Sequence, residues 1–164
     1  MKQVLLSFIF TLLALNIHAQ AQYTYQQLGD KYVVSVNNHE EVVKVLTDFC
    51  KDMNIQAGSI IGIGAINEAT LRFFNPQTKK YVDKTFNEQM EISNLTGNVS
   101  TMNGKTYVHI HATLGRSDYS ALAGHLLSAK LNGAGEFVVE KFDGKIERYF
   151  DKGTGLNMYL FESK

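Results

Sequence analysis

Tyr107-Val108-His109-Ile110-His111-Ala112 places two histidines two positions apart, and Gly124-His125-Leu126 adds a third fourteen residues after His111. The segment reads as a β-strand, in which successive side chains point to opposite faces. Val108, Ile110, Ala112 and Leu114 then share an apolar face, and Tyr107, His109, His111 and Thr113 share the other. The two histidine Cα atoms would stand about 6.6–7 Å apart on one side of the strand. Imidazoles so placed can converge on a divalent metal at about 2.0–2.1 Å from each nitrogen. His125, returned by a loop, can supply a third ligand. The spacing alone leaves a plainer alternative open, in which the pair is simply the polar side of a half-exposed sheet.

Neutral imidazoles suit zinc and also copper, nickel or iron, so ligand type alone does not choose the metal. Three protein ligands leave a fourth position for water or substrate, as in catalytic rather than structural zinc. Glu68, Glu91 and Asp118 are proton-transfer candidates by residue type only, and each is as readily a solvated carboxylate. Arg72, in a strand, can anchor an anionic ligand through charge-assisted hydrogen bonds. An intersubunit salt bridge would use it equally well.

The elements that must position these residues follow from periodicity and turn chemistry. Lys31–Val36 reads as a strand. Asn38 reads as a helix N-cap with Glu41 as its capping-box partner. Val42, Val43, Leu46, Phe49, Cys50 and Met53 then recur at helical spacing as one apolar face, and the helix ends near Asn54. The polar stretch Tyr23–Asp30 shows no strong period. Ser59–Ile66, Ala69–Phe74, Lys80–Phe86 and Glu88–Ser100 read as strands. Asn103-Gly104 is a type I′ hairpin signal leading into the histidine strand, Lys105–Leu114. Gly115–Gly124 reads as a loop, and His125–Leu131 and Glu136–Phe142 as a pair of strands around Asn132-Gly133-Ala134-Gly135. Asp143-Gly144 reads as a second hairpin into Lys145–Phe150, and Leu156–Phe161 as the closing strand. The expected fold class is α+β: a mainly antiparallel sheet with one long helix and few short ones. Gly62 and Gly64 suggest close backbone approach to a packed helix or another subunit. They do not form a dinucleotide fingerprint, because no helix opens after them.

The chain has 164 residues, with sixteen acidic and sixteen basic side chains. That length holds one domain, and the balance provides no global field for nucleic acid or an anionic membrane. Lys2, the apolar run Val4–Leu15 and the small residues Ala19 and Ala21 form a signal-peptide pattern too short to span a bilayer. Residues 1–21 are therefore expected to be a cleaved signal peptide and 22–164 a periplasmic or secreted domain. The single cysteine, Cys50, lies on the apolar helix face and reads as a small core residue.

Several motifs together resemble the plants and prokaryotes conserved (PPC) domain. They are Ile61-Gly62-Ile63-Gly64-Ala65 with Thr70-Leu71-Arg72, Leu95-Thr96-Gly97-Asn98-Val99 with Gly104-Lys105, His109-Ile110-His111, and Gly124-His125-Leu126. The resemblance covers roughly Lys31 to Glu162. It implies a homotrimer in which His109, His111 and His125 hold a metal, usually zinc, with a small molecule binding or reacting in an intersubunit cleft. A structural metal in an assembly module is the alternative, and DNA binding a third by family association. The plant members' AT-hook segments are absent, and Glu88-Gln89-Met90 stands where those members have Gly-Arg-Phe. The usual Gly-Gly-His is Ala123-Gly124-His125. Transfer of the plant DNA-binding role is therefore not expected.

Overall fold

The computed structural model describes Ala21–Phe161, so the expected signal peptide lies, except for Ala21, outside the described residues. Nine strands and one helix follow in the order β1 (Tyr23–Leu28), β2 (Lys31–Val36), α1 (Val42–Asp52), β3 (Gly58–Asn75), β4 (Lys80–Phe86), β5 (Met90–Met102), β6 (Lys105–Gly115), β7 (Ala121–Lys141), β8 (Glu147–Asp151) and β9 (Leu156–Leu160). Two long strands, β3 and β7, pair antiparallel from Gly58↔Lys141 to Arg72↔His125 and form the spine. The pairings β3–β5, β5–β6, β6–β7 and β7–β3 link four long strands into a closed ring, with β1, β2, β4, β8 and β9 added outside it. No helix of the described residues is long and apolar enough to cross a membrane.

Strand continuity is the main departure from the sequence expectation. Ser59–Ile66 and Ala69–Phe74 are one strand, and so are His125–Leu131 and Glu136–Phe142. The Asn132–Gly135 segment bulges instead of turning: Gly64 faces Gly135 while Ile66 already faces Leu131. Glycine makes the extra residues tolerable, since Gly133 adopts φ 146°. A β-bulge bends a strand without ending it, and the turn-like composition does not distinguish the two. Gly62 and Gly64 do mark close approach, and within the chain it is to β7 rather than to a helix. A Cβ on Gly62 would meet the Phe137 ring and lie 2.8 Å from the Glu136 carbonyl, and one on Gly64 would lie 2.8 Å from that of Ala134.

Other expectations are corrected at the ends of the chain. Tyr23–Leu28 is a strand, joined to β2 through Gly29 and Asp30. Its tyrosines are ordered by packing rather than by period: Tyr23, Tyr25 and Tyr32 surround Phe49 at centroid distances of 5.3–5.4 Å. The Asp143-Gly144 turn does not make a hairpin, because β8 pairs parallel to β5 through Thr101↔Glu147 and Met102↔Arg148. The sheet is therefore mixed, and α1 is the only α-helix among the described residues.

Helix α1 presents Val42, Val45, Leu46, Phe49 and Cys50, all fully buried, to the core. Its N-cap is Glu41 and not Asn38. The Glu41 carboxylate accepts from Val43 N (2.9 Å), Lys44 N (2.7 Å) and, across on β7, Ala129 N (2.9 Å). Asn38 instead uses its side-chain oxygen to accept from Gly133 N at 2.9 Å.

Candidate metal centre

The histidines are brought together by two hairpins. The Asn103-Gly104 turn joins β5 to β6 in the register Met102↔Lys105, which places Asn98 opposite His109 and Thr96 opposite His111. Both residues of that turn adopt positive φ, 51° and 74°, as the type I′ expectation requires. The expected Gly115–Gly124 loop is shorter than its composition suggests. Only residues 116–120 leave the sheet, held by Arg116 N to the Ser120 carbonyl (2.9 Å) and Tyr119 N to the Arg116 carbonyl (2.9 Å). β7 then runs back beside β6, and His125 falls directly opposite His111. His125 thus sits in a strand, and strand pairing rather than a loop return fixes its position.

On β6, Ile110, Ala112 and Leu114 are buried, as the alternation requires, and His109 and His111 project to the other face. Ring centroids are 5.2 Å apart for His109–His111, 4.9 Å for His109–His125 and 5.4 Å for His111–His125. One nitrogen from each ring lies within 4.8 Å of the other two. Three nitrogens bound tetrahedrally to one zinc ion stand about 3.3 Å apart. Three imidazoles converging this closely from two neighbouring strands are a donor set that fits a transition metal.

The protonation state fits as well. Burial, then the neighbouring His125, His111 and Arg148, push His109 down from 6.5 to about 4. Burial is also the main cause lowering His125, followed by His111 and Arg72. Both imidazoles are neutral near pH 7, the form a metal requires.

The three rings open onto a cavity of about 700 Å³. Arg72 reaches it, paired with His125 across β3 and β7. Its guanidinium is already engaged: Nε and Nη2 donate to the two Asp83 oxygens at 2.7 Å each, and the group lies 4.7 Å from the Tyr81 ring centre. Arg72 therefore stands beside the site as half of an intrachain ion pair, and its hydrogen bonds, then its charge, hold the Asp83 carboxyl below the usual range. None of the proposed proton-transfer carboxylates lines the cavity. Glu68 faces Lys130 across β3–β7, Glu91 faces Gly115, and Asp118 accepts from Ser120 in the β6–β7 turn.

Several lining residues escape the sequence reading. Asn98 could have been found by counting back from the Asn103-Gly104 turn, and Tyr107 by its place on the histidine face. Arg148 could not, since it arrives on a strand whose parallel pairing has no local signature. It is 7% exposed, donating from Nε to Ser100 Oγ and from Nη1 to the Asn157 carbonyl, both at 2.8 Å. Asn157 in turn donates to the Tyr107 hydroxyl at 3.1 Å.

Solved structures with this architecture provide the comparison. A Bacteroides thetaiotaomicron protein, described as a "putative dna binding protein", is 64% identical over 87% of this chain and all of its own, with a TM-score of 0.85. A protein from Archaeoglobus fulgidus, described as metal-containing, is 32% identical over 85% of this chain and 98% of its own, with a TM-score of 0.76. A plant- and prokaryote-conserved protein from Pyrococcus horikoshii is 28% identical over 87% of this chain and 96% of its own, with a TM-score of 0.75. Among curated proteins, none matches the chain. The family model of the Plants and Prokaryotes Conserved domain matches residues 23–143, from β1 through the whole of β7, and the chain belongs to that family.

Proposed function

We propose that this protein binds one transition-metal ion, zinc by family resemblance, through His109, His111 and His125, and takes a small molecule into the adjoining cavity. The observation that carries this reading is the convergence of three imidazole nitrogens within 4.8 Å on the wall of a cavity. Two of the imidazoles are held neutral by burial and by their neighbours. The relative from Archaeoglobus fulgidus, described as metal-containing, supports the same reading. When bound, such a metal supplies Lewis acidity and a more acidic bound water. The chain's own residues hold His109 and His125 neutral and line the cavity with Tyr107, Tyr159, Asn98 and Arg148.

The protein is further proposed to be an exported homotrimer. Self-association is supported by an apolar row on the sheet surface, where Val33, Val138 and Ile61 are direct cross-strand partners on β2, β7 and β3. Val33 and Ile61 are exposed, and Ile63 extends the same surface. A DNA-binding role, the description given to the Bacteroides relative, has less support here. The chain's charges cancel, whereas duplex binding draws on a surplus of Lys and Arg.

Chelation followed by native mass spectrometry separates the catalytic or ligand-binding metal from a structural one. A trimer that persists after metal removal supports the cavity as the metal's place of work. A trimer that dissociates with the metal makes the metal structural and favours an assembly module.

A further inference from the structure

The cavity beside the histidines contains a charge that none of the described residues neutralises. Arg72 has Asp83 and Arg116 has Glu88 as carboxylate partners. Arg148 is more deeply buried than either, yet among the described residues no carboxylate lies within 4.0 Å of it. Its partners are a serine hydroxyl, a backbone carbonyl and two tyrosine rings, Tyr159 at 4.0 Å and Tyr107 at 5.0 Å. Those contacts hold the guanidinium plane in place without offsetting its charge. A buried cation is costly unless an anion or a full set of hydrogen bonds accompanies it.

The unfilled part of that set belongs to a residue that lines the cavity. Nε and Nη1 are used, and Nη2 has no protein acceptor among the described residues. No fully buried side-chain nitrogen lacks a partner, so Nη2 is accessible, and Arg148 is a lining residue of the cavity that holds the three histidines. Phe73, Phe74, Leu156 and Met158 give much of the remaining wall an apolar character.

We propose that Arg148 is the anion receptor of this cavity and that its ligand is a small organic carboxylate with an apolar body. One uncompensated guanidinium matches one carboxylate charge, and a rigid planar fork suits a planar carboxylate. Phosphate sites ordinarily gather several uncompensated cations or a helix N-terminus; this wall has no helix, and its other arginine, Arg72, is already paired with Asp83. The volume, about 700 Å³, suits a small organic molecule. Recognition is thus supplied by the β8–β9 hairpin, which lies beyond the residues 23–143 matched by the family model. The inference deepens the reading of this cavity as the functional site and names its ligand class, but it does not require the metal.

The test is calorimetric titration of the full chain at constant ionic strength, once with chelator and once with zinc. The probes are benzoate and butyrate as carboxylates, benzamide as the neutral isostere, and inorganic phosphate. Benzoate and butyrate are expected to bind with chelator present and to weaken about tenfold or more in Arg148→Gln, the scale of a lost charged hydrogen bond. Benzamide and phosphate are expected to show no Arg148-dependent binding. Should Arg148→Gln fail to fold, the Arg148 Nε–H resonance of the wild type must shift on adding benzoate. Equal carboxylate binding by wild type and Arg148→Gln, no carboxylate binding under either condition, or a preference for phosphate would each overturn the proposal. Binding that needs zinc and ignores Arg148 would refute the receptor and leave the metal site standing. Arg148-dependent binding by protein that takes up no zinc would refute the metal reading and leave the receptor standing.

Discussion

Removing the Glu41 carboxylate should loosen the only helix among the described residues from the strand that carries His125. One Glu41 oxygen accepts from both Val43 N and Ala129 N, and the other accepts from Lys44 N. Glu41→Ala removes all three bonds. Loss of an N-cap costs about 0.5–2 kcal/mol. The Ala129 N–H belongs to a residue only 1% exposed, and a buried donor left without an acceptor costs a further ~1–3 kcal/mol. Lys44 is exposed, so water replaces its lost acceptor at little cost. The sum is about 1.5–5 kcal/mol for Glu41→Ala. Glu41→Gln keeps one oxygen for Val43 and Ala129 and loses only the Lys44 bond, so its cost is about 0.5–1 kcal/mol. Urea unfolding followed by far-ultraviolet circular dichroism measures both, with an unchanged slope expected. Equal destabilisation by the two substitutions, or a Glu41→Ala protein within 0.5 kcal/mol of wild type, would refute the reasoning that one carboxylate fastens the helix to β7.

Two further predictions concern groups whose ionisation the fold controls. In metal-free protein, the His109 imidazole is held at about 4 instead of 6.5, so the unfolded chain takes up its proton first as pH falls. Stability is therefore full above pH 6.5 and is lost as pH falls from about 6.5 to about 4, and His109→Gln should flatten that part of the pH profile of the urea midpoint. Burial pushes the Cys50 thiol up to about 12, so iodoacetamide should leave it unmodified in the folded protein and alkylate it in denaturant. Labelling of the native protein at the unfolded rate would contradict its place in the core.

The sequence discloses local features better than the connections between distant ones. Alternation along β6 identifies the apolar side, and Ile110, Ala112 and Leu114 are buried as expected. The Asn103-Gly104 turn has the φ values its composition demands, and Val42, Leu46, Phe49 and Cys50 of the expected α1 face are buried, with Val45 fully buried in addition and Val43 and Met53 only partly. The PPC resemblance brought His125 to the other two histidines before any geometry was known. Strand breaks were misread where glycine and asparagine occur in bulges, because Asn132–Gly135 has the composition of a turn while lying inside β7. Strand β1 was missed because its tyrosines gain order from Phe49, a contact invisible in sequence. The polar half of the cavity was least legible. Arg72 was visible but its bond to Asp83 was not, and Arg148 joins the site through the parallel β5–β8 pairing, which connects residues 46 apart. Without that pairing, nothing local marks Arg148 as different from any other strand arginine.

The central claim, a metal held by His109, His111 and His125, is tested most directly by elemental analysis of protein purified without chelator, referred to its subunit concentration. The account predicts about one transition-metal ion per subunit in the wild type and none retained by the His109→Ala/His111→Ala double variant. Stoichiometric metal surviving in a folded double variant would contradict it. So would wild-type protein that stays metal-free after incubation with zinc at neutral pH, where His109 and His125 carry no proton charge.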